Sequence, residues 1–246
     1  DESYRETVRK NLHVMTNDGI PSVGKEIDCA FEVIYENKEA KRQIYALLNE
    51  SCREDCIFAS NTSGMDIFSV CDDVISHPER LIITHWFNPP HLMKLIEVVC
   101  GPKTSEETAA AVRGLLEYAG KKPAVLRHFV PGFIVNRALL PMLNEACVVV
   151  GSFIGSVEDM DNGMKLGCNH PMGPLELADM VGLDILLNVM TVLAHEYGEK
   201  YHPSLLLRKM VTAGFLGRKS GAGFYIYENG KKVGVNPVLQ QEHHLG

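Results

Sequence analysis

The sequence lacks an excess of positive charge: 24 Lys and Arg against 31 Asp and Glu leave a net charge of −7, with no Lys/Arg-dense stretch. A surface for nucleic acid or anionic lipid needs a basic footprint, so neither partner is expected. A phosphate-bearing small ligand needs only local donors and is not excluded. No apolar run approaches the roughly 20 residues of a membrane span. The polar start, Asp1-Glu2-Ser3-Tyr4-Arg5, is not that of a signal peptide. The expectation is a soluble, cytoplasmic protein. G-x-G-x-x-G, G-x-x-x-x-G-K-[ST] and H-E-x-x-H are all missing; His195-Glu196-Tyr197-Gly198-Glu199 fails the last at its final position. There is no internal repeat. The seven cysteines are an odd number in mostly apolar or helical context, which suggests reduced thiols. Cys52 and Cys56 could share a helix face, but no nearby Cys or His completes a zinc quartet, so no metal is expected.

What is present suffices for one large domain or two smaller ones: 246 residues, 46% hydrophobic and 22% charged. Short apolar runs at 12–16, 27–35, 56–60, 80–84, 93–100 and 124–127 predict strands. Between them, amphipathic stretches at 38–53, 65–76 and 105–119 predict helices, the last with Gly120 to end it. Such alternation predicts an α/β fold with a parallel, doubly wound sheet and ligands beyond the carboxyl ends of its strands. After residue 127 the pattern turns helical, at 133–150, 156–166, 183–197 and 203–213, followed by an extended stretch at 223–227 and a turn at Asn229-Gly230. A boundary near 128–132 divides an α/β domain, residues 1–130, from an all-helical one, residues 131–246. The long apolar helix at 133–150 could serve a dimer interface.

The chemistry centres on His85 and Glu97. The imidazole follows the apolar run Leu81-Ile82-Ile83-Thr84, where a buried strand gives way to a loop. Period-two alternation puts Glu97 on the same face as Leu95 and Val99. A carboxylate on an apolar face needs a partner, and an imidazole N–H satisfies both groups while fixing the tautomer. The pair reads as a general base and its orienting acid. Three strands end in polar groups, Glu36-Asn37, Asn61-Thr62-Ser63 and His85 with Asn88, which a parallel sheet would gather along one rim.

Phe58-Ala59-Ser60-Asn61-Thr62-Ser63, His85 through Val99, Pro131-Gly132-Phe133-Ile134-Val135-Asn136-Arg137, His170-Pro171-Met172-Gly173-Pro174 through Asp184, and Gly217-Arg218-Lys219-Ser220-Gly221 through Tyr225 together resemble the NAD-dependent (S)-3-hydroxyacyl-CoA dehydrogenase family. The resemblance runs from about Ile27 to Tyr227 in the family's order. It implies a Rossmann-type domain, a helical domain that forms a homodimer, NAD as cofactor, and reversible oxidation of a 3-hydroxyacyl-CoA substrate. It further implies that His85 is the base and Glu97 its partner, that Ser63 and Asn136 contact the reacting oxygens, and that Glu36, Lys41, Ser63, Asn88 and Lys219 lie near the cofactor.

Taken singly, these residues have plainer readings. Ser63 could form a turn with Asn61, Asn136 could cap its helix, and Asn88 could serve turn geometry before Pro89. Glu36, Lys41 and Lys219 could be solvated charges.

The chain departs from the family at Gly64, Trp86 and Cys168-Asn169-His170, which border the substrate side. The first βαβ unit, with its glycine fingerprint, has no counterpart, so a fragment or partial chain is expected, one that could hardly bind NAD tightly. Two alternatives stay open: a same-fold dehydrogenase of a non-CoA substrate, of L-gulonate or diketo ester type, and a non-catalytic structural relative.

Overall fold

The computed structural model describes residues 2–239. They form two units that divide between Val130 and Pro131.

The first unit opens with α1 (Glu2–Asn11), whose acidic first turn and basic last turn match the helix dipole. The predicted strand at 12–16 is not formed: the segment is irregular and exposed, with Val14 90% accessible. Apolar alternation alone does not make a strand, because the backbone must also find a ladder partner. After α2 (Ile20–Val23) come β1 (Cys29–Glu32), α3 (Lys38–Ser51), β2 (Ile57–Ser60), α4 (Ile67–Val70), β3 (Leu81–Trp86), β4 (Leu95–Cys100), α5 (Glu106–Tyr118) and β5 (Lys122–Leu126). Asn37 and Ser105 start α3 and α5 by accepting the N–H groups of Ala40 and Thr108.

The sheet order is β1-β2-β3-β4-β5. It is the expected doubly wound, mainly parallel sheet with one exception: β4 runs antiparallel to β3, while the other neighbours are parallel. The reason is the length of the β3–β4 connection. Residues 87–94 are too few for a parallel crossover, which takes about a dozen or more residues. The chain instead folds back where the Pro89 carbonyl accepts the N–H groups of Leu92 and Met93.

One face of the sheet, with Ala59, Ile82, Ile96 and Val98, packs on Ala109, Val112 and Leu116 of α5. Burying Val112 and Leu116 contributes about 1.5–3 kcal/mol each. By alternation, Phe58, Ser60, Ile83, His85, Glu97 and Val99 point to the other face, where Tyr45 of α3 meets Phe58 at 5.9 Å between ring centres.

The helix predicted for 65–76 shrinks to the single turn of α4. The Val70 carbonyl, which would accept from Val74 in a continuing helix, accepts from the Arg42 guanidinium at 2.7 Å. Val74 turns to the Cys71 carbonyl instead.

The second unit contains α6 (Val135–Gly151), α7 (Val157–Asn162), α8 (Pro174–Val181), α9 (Leu183–Tyr197) and α10 (Leu205–Thr212). Leu143, Leu175, Leu186, Met190, Leu193 and Leu207 are fully buried in its core. A hairpin of β6 (Tyr225–Glu228) and β7 (Lys231–Val235) is appended where the sequence marked an extended stretch. Its turn uses Asn229 and Gly230, both at positive φ, as Asn-Gly hairpins do.

Two buried carboxylates hold this unit together. Asp161 accepts the N–H groups of Leu175 and Glu176 at the start of α8, and the Tyr225 hydroxyl at 2.7 Å. Asp179 accepts the N–H groups of Phe224 and Tyr225, each at 2.9 Å, and the Tyr227 hydroxyl. Burial pushes Asp179 up to about 6. Sequence periodicity did not mark α8, although Pro174 at its first turn is a helix-start signal.

All seven cysteines are free thiols. Burial pushes Cys56, Cys71 and Cys147 up to about 12, which suits packing rather than nucleophilic roles. Among the described residues, no single helix is long and apolar enough to cross a membrane, and no group of three or more His, Cys, Asp and Glu is placed to hold a metal ion.

Candidate active site

His85 and Glu97 stand directly opposite one another in the β3–β4 ladder. Nδ1 of His85 lies 2.7 Å from Oε2 of Glu97, and both residues are buried, at 5% and 0% exposure. Turning β4 antiparallel is what makes them cross-strand neighbours, with side chains on one face. A carboxylate can only accept, so this contact favours the imidazole tautomer that carries its hydrogen on Nδ1. The ring of Phe87 lies 4.6 Å from the imidazole, centre to centre, and limits its movement.

The carboxyl ends of β1, β2 and β3 converge as their polar endings suggest. Oε1 of Glu36 accepts the Thr62 hydroxyl at 2.7 Å and the Ser63 N–H at 2.9 Å, tying the loop after β1 to that after β2. Thr62 Oγ1 in turn accepts the N–H groups of Gly64 and Met65. Asn61 Oδ1 accepts the Trp86 N–H at 3.2 Å, tying β2 to the end of β3. Ser63 and Asn88 are exposed in loops after β2 and β3.

Lys41 is not the solvated charge it would be on its own. It is fully buried, and its ammonium lies 2.7 Å from both oxygens of Glu32 and 3.2 Å from the Asn61 carbonyl. Ser60 donates to Glu32 at 2.6 Å, as does the Ile34 N–H at 2.8 Å, with the Tyr45 hydroxyl at 3.5 Å. Burial and the charge of Glu32 hold the Tyr45 hydroxyl well above its usual range, as a neutral donor. Sequence reasoning missed Glu32. The available signal was an acid inside an otherwise apolar strand, between Phe31 and Val33.

Asn136 and Lys219 belong to the second unit. Asn136, the second residue of α6, is half-buried; the capping position is Ile134, so the capping role is not the one it plays. Lys219 pairs with Asp184 at 2.6 Å. Desolvation raises the Asp184 carboxyl and the Lys219 bond lowers it, and the net effect is downward.

A cavity of about 590 Å³ opens elsewhere in the first unit, lined by Phe68, Ile75, Pro78, Leu81, Pro102 and Phe129 among others. Leu81 is the first residue of β3, four positions before His85 and roughly 13 Å along the strand. The cavity lacks the base and the converging polar loops, so the rim at His85 is the candidate centre.

Residues 2–129 match the 3-hydroxyacyl-CoA dehydrogenase NAD binding domain, and residues 132–227 match the C-terminal domain of the same enzymes. The chain belongs to the 3-hydroxyacyl-CoA dehydrogenase family. It is 48% identical over 202 residues to the probable 3-hydroxybutyryl-CoA dehydrogenase of Bacillus subtilis, covering 82% of this chain and 70% of that protein. Against the 3-hydroxybutyryl-CoA dehydrogenase of Clostridioides difficile the identity is 44% over 204 residues, 82% of this chain and 72% of that one. The crystal structure of (S)-3-hydroxybutyryl-CoA dehydrogenase from Ralstonia eutropha superimposes with a TM-score of 0.82 at 44% identity, covering 88% of this chain and 75% of that one.

Proposed function

We propose that this family member interconverts (S)-3-hydroxyacyl-CoA and 3-ketoacyl-CoA with NAD, using His85 as general base and Glu97 as its orienting partner. The observation that carries the reading is the buried 2.7 Å contact from Nδ1 of His85 to Glu97 beside the loop that bears Ser63. Hydride leaves C3 of the substrate only as the hydroxyl proton is removed, so a base must reach that hydroxyl. His85 takes the proton at Nε2, and Glu97 stabilises the imidazolium across the ladder. In the reductive direction the same nitrogen returns the proton. Ser63 and Asn136 supply neutral donors for the alcohol or ketone oxygen and the thioester carbonyl.

The residues present fit the nicotinamide end of the cofactor. Glu36 has Oε1 engaged by the Ser63 loop, while Oε2 has no hydrogen-bond partner among the described residues. Ser63 and Asn88 are exposed on the same rim. NAD, when bound, supplies hydride acceptance at its nicotinamide. Lys41 supports the rim from beneath, since its ammonium is taken up by Glu32 and Asn61. Lys219 is assigned to the cofactor side as an ion pair with Asp184. Two copies associate through the second unit, where Met180, Ile185 and Val192 are exposed, and the compartment proposed is the cytoplasm; light scattering tests the dimer.

The test of substrate class compares reduction of acetoacetyl-CoA with that of ethyl acetoacetate, both followed by NADH loss. Preference for the thioester supports the reading. Equal or better turnover of the CoA-free ester would assign a non-CoA substrate.

A further inference from the structure

We propose that Asn61 is a positioning residue for His85, and that the buried Glu32–Lys41 pair anchors it. The inference rests on the assignment of His85 as base. The parallel ladder between β2 and β3 runs through Phe58, Ala59 and Ser60 and ends at the Ser60–Ile83 pair. β3 continues three residues further, to Trp86, and His85 lies in that extension. On the β4 side the extension is paired in full, Thr84 with Val98, His85 with Glu97 and Trp86 with Ile96. On the β2 side, the side chain of Asn61 takes over from the backbone: Oδ1 accepts the Trp86 N–H at 3.2 Å. A side-chain carbonyl thus replaces the ladder bond that β2 no longer supplies.

Such a substitute fixes β3 only if Asn61 is itself fixed. Its N–H donates to the Glu32 carbonyl at 2.7 Å, and its carbonyl accepts from Lys41 at 3.2 Å. Lys41 is held by both carboxylate oxygens of Glu32, which also accepts the hydroxyl of Ser60, the residue before Asn61. One buried pair therefore clamps the residues on which the bond to Trp86 depends. Ser63 follows Asn61 by two positions and is secured separately by Glu36. Asn61 accordingly sets the spacing between the strand end that carries the base and the loop that carries Ser63. Misplacing a base by a fraction of an ångström lowers turnover without weakening binding in proportion.

Trp86 is the only tryptophan in the sequence, so labelling with ¹⁵N-tryptophan yields one backbone amide signal. Asn61→Ala is expected to speed hydrogen exchange at that amide about five- to tenfold, the worth of one net hydrogen bond. It is also expected to lower kcat for acetoacetyl-CoA reduction by about 10- to 100-fold with little change in KM. Asn61→Asp, which keeps an acceptor oxygen, should retain slow exchange and most of the turnover. Unchanged exchange at Trp86 in Asn61→Ala, or a kcat loss that Asn61→Asp fails to restore, overturns the positioning role. Absence of turnover in the wild type as well would bear on cofactor binding or the dehydrogenase reading and not on Asn61, because the exchange rate still reports whether Asn61 holds Trp86.

Discussion

Glu97 lies directly across the β3–β4 ladder from His85, its Oε2 2.7 Å from Nδ1. Because the carboxylate is fully buried, its acceptor oxygen fixes which imidazole nitrogen carries the hydrogen. Glu97→Gln keeps the shape but can offer an N–H to Nδ1, which favours the tautomer with the lone pair on the wrong side. Turnover is expected to fall about 10²-fold or more with the fold intact. Steady-state rates beside a circular dichroism spectrum check this, and wild-type rates would remove Glu97 from the mechanism.

Glu32 and Lys41 are charges that the interior tolerates only together. Lys41→Met alone leaves a buried carboxylate without its counter-ion and is expected to cost about 3–5 kcal/mol. Adding Glu32→Gln neutralises the site and should recover a substantial part of that loss. Urea unfolding of both single variants and the double variant measures the coupling; strictly additive losses would show that the pair is not a unit.

Asp179 gives the second unit a distinct pH signature. Burial is the largest cause of its rise from 3.8 to about 6, and its neighbour Asp161 adds to it. A carboxyl raised in the folded state binds its proton more tightly there than in the unfolded chain. Its contribution to stability is therefore full below pH 3.8 and lost as pH rises through 6. Asp179→Asn also orphans one of the donors from Phe224 or Tyr225, so it destabilises at neutral pH. Between pH 7 and 4 the wild type should gain about 2–3 kcal/mol on the variant. Paired unfolding curves across that range test it, and a constant gap would mean that Asp179 does not titrate there.

Two glycines should respond in opposite directions to alanine. A Cβ on Gly223 would lie 1.9 Å from Oδ1 of Asp179, so Gly223→Ala must displace that carboxylate and is expected to cost about 1–3 kcal/mol. A Cβ on Gly114, exposed within α5, meets nothing within 4 Å. Gly114→Ala should stabilise by about 0.5–1 kcal/mol. Thermal melts that rank the two the other way would contradict this packing.

The parts legible in the sequence were those with a local signature. Apolar runs bounded by turn residues marked β1 to β5, and amphipathic periodicity marked α3 and α5, the latter ended by Gly120. The pairing of His85 with Glu97 followed from a carboxylate on an apolar face. What escaped depended on partners distant in sequence. The irregular 12–16 segment had the alternation of a strand without a ladder partner. α4 stopped early because Arg42, 28 residues before Val70, takes its carbonyl. The antiparallel turn of β4 was present in the eight-residue connection, but the alternating pattern overrode it. Burial of Lys41 could not be read from a helix whose first turn also carries Lys38 and Glu39, because its partner lies on β1.

The central claim is that His85 is the proton-transferring base, and the direct measurement is acetoacetyl-CoA reduction by the wild type and by His85→Gln, followed by NADH loss. A fall in turnover of about 10² to 10⁴, with one NADH consumed per ketone reduced in the wild type, is the predicted result. Turnover of His85→Gln near the wild-type rate would contradict it.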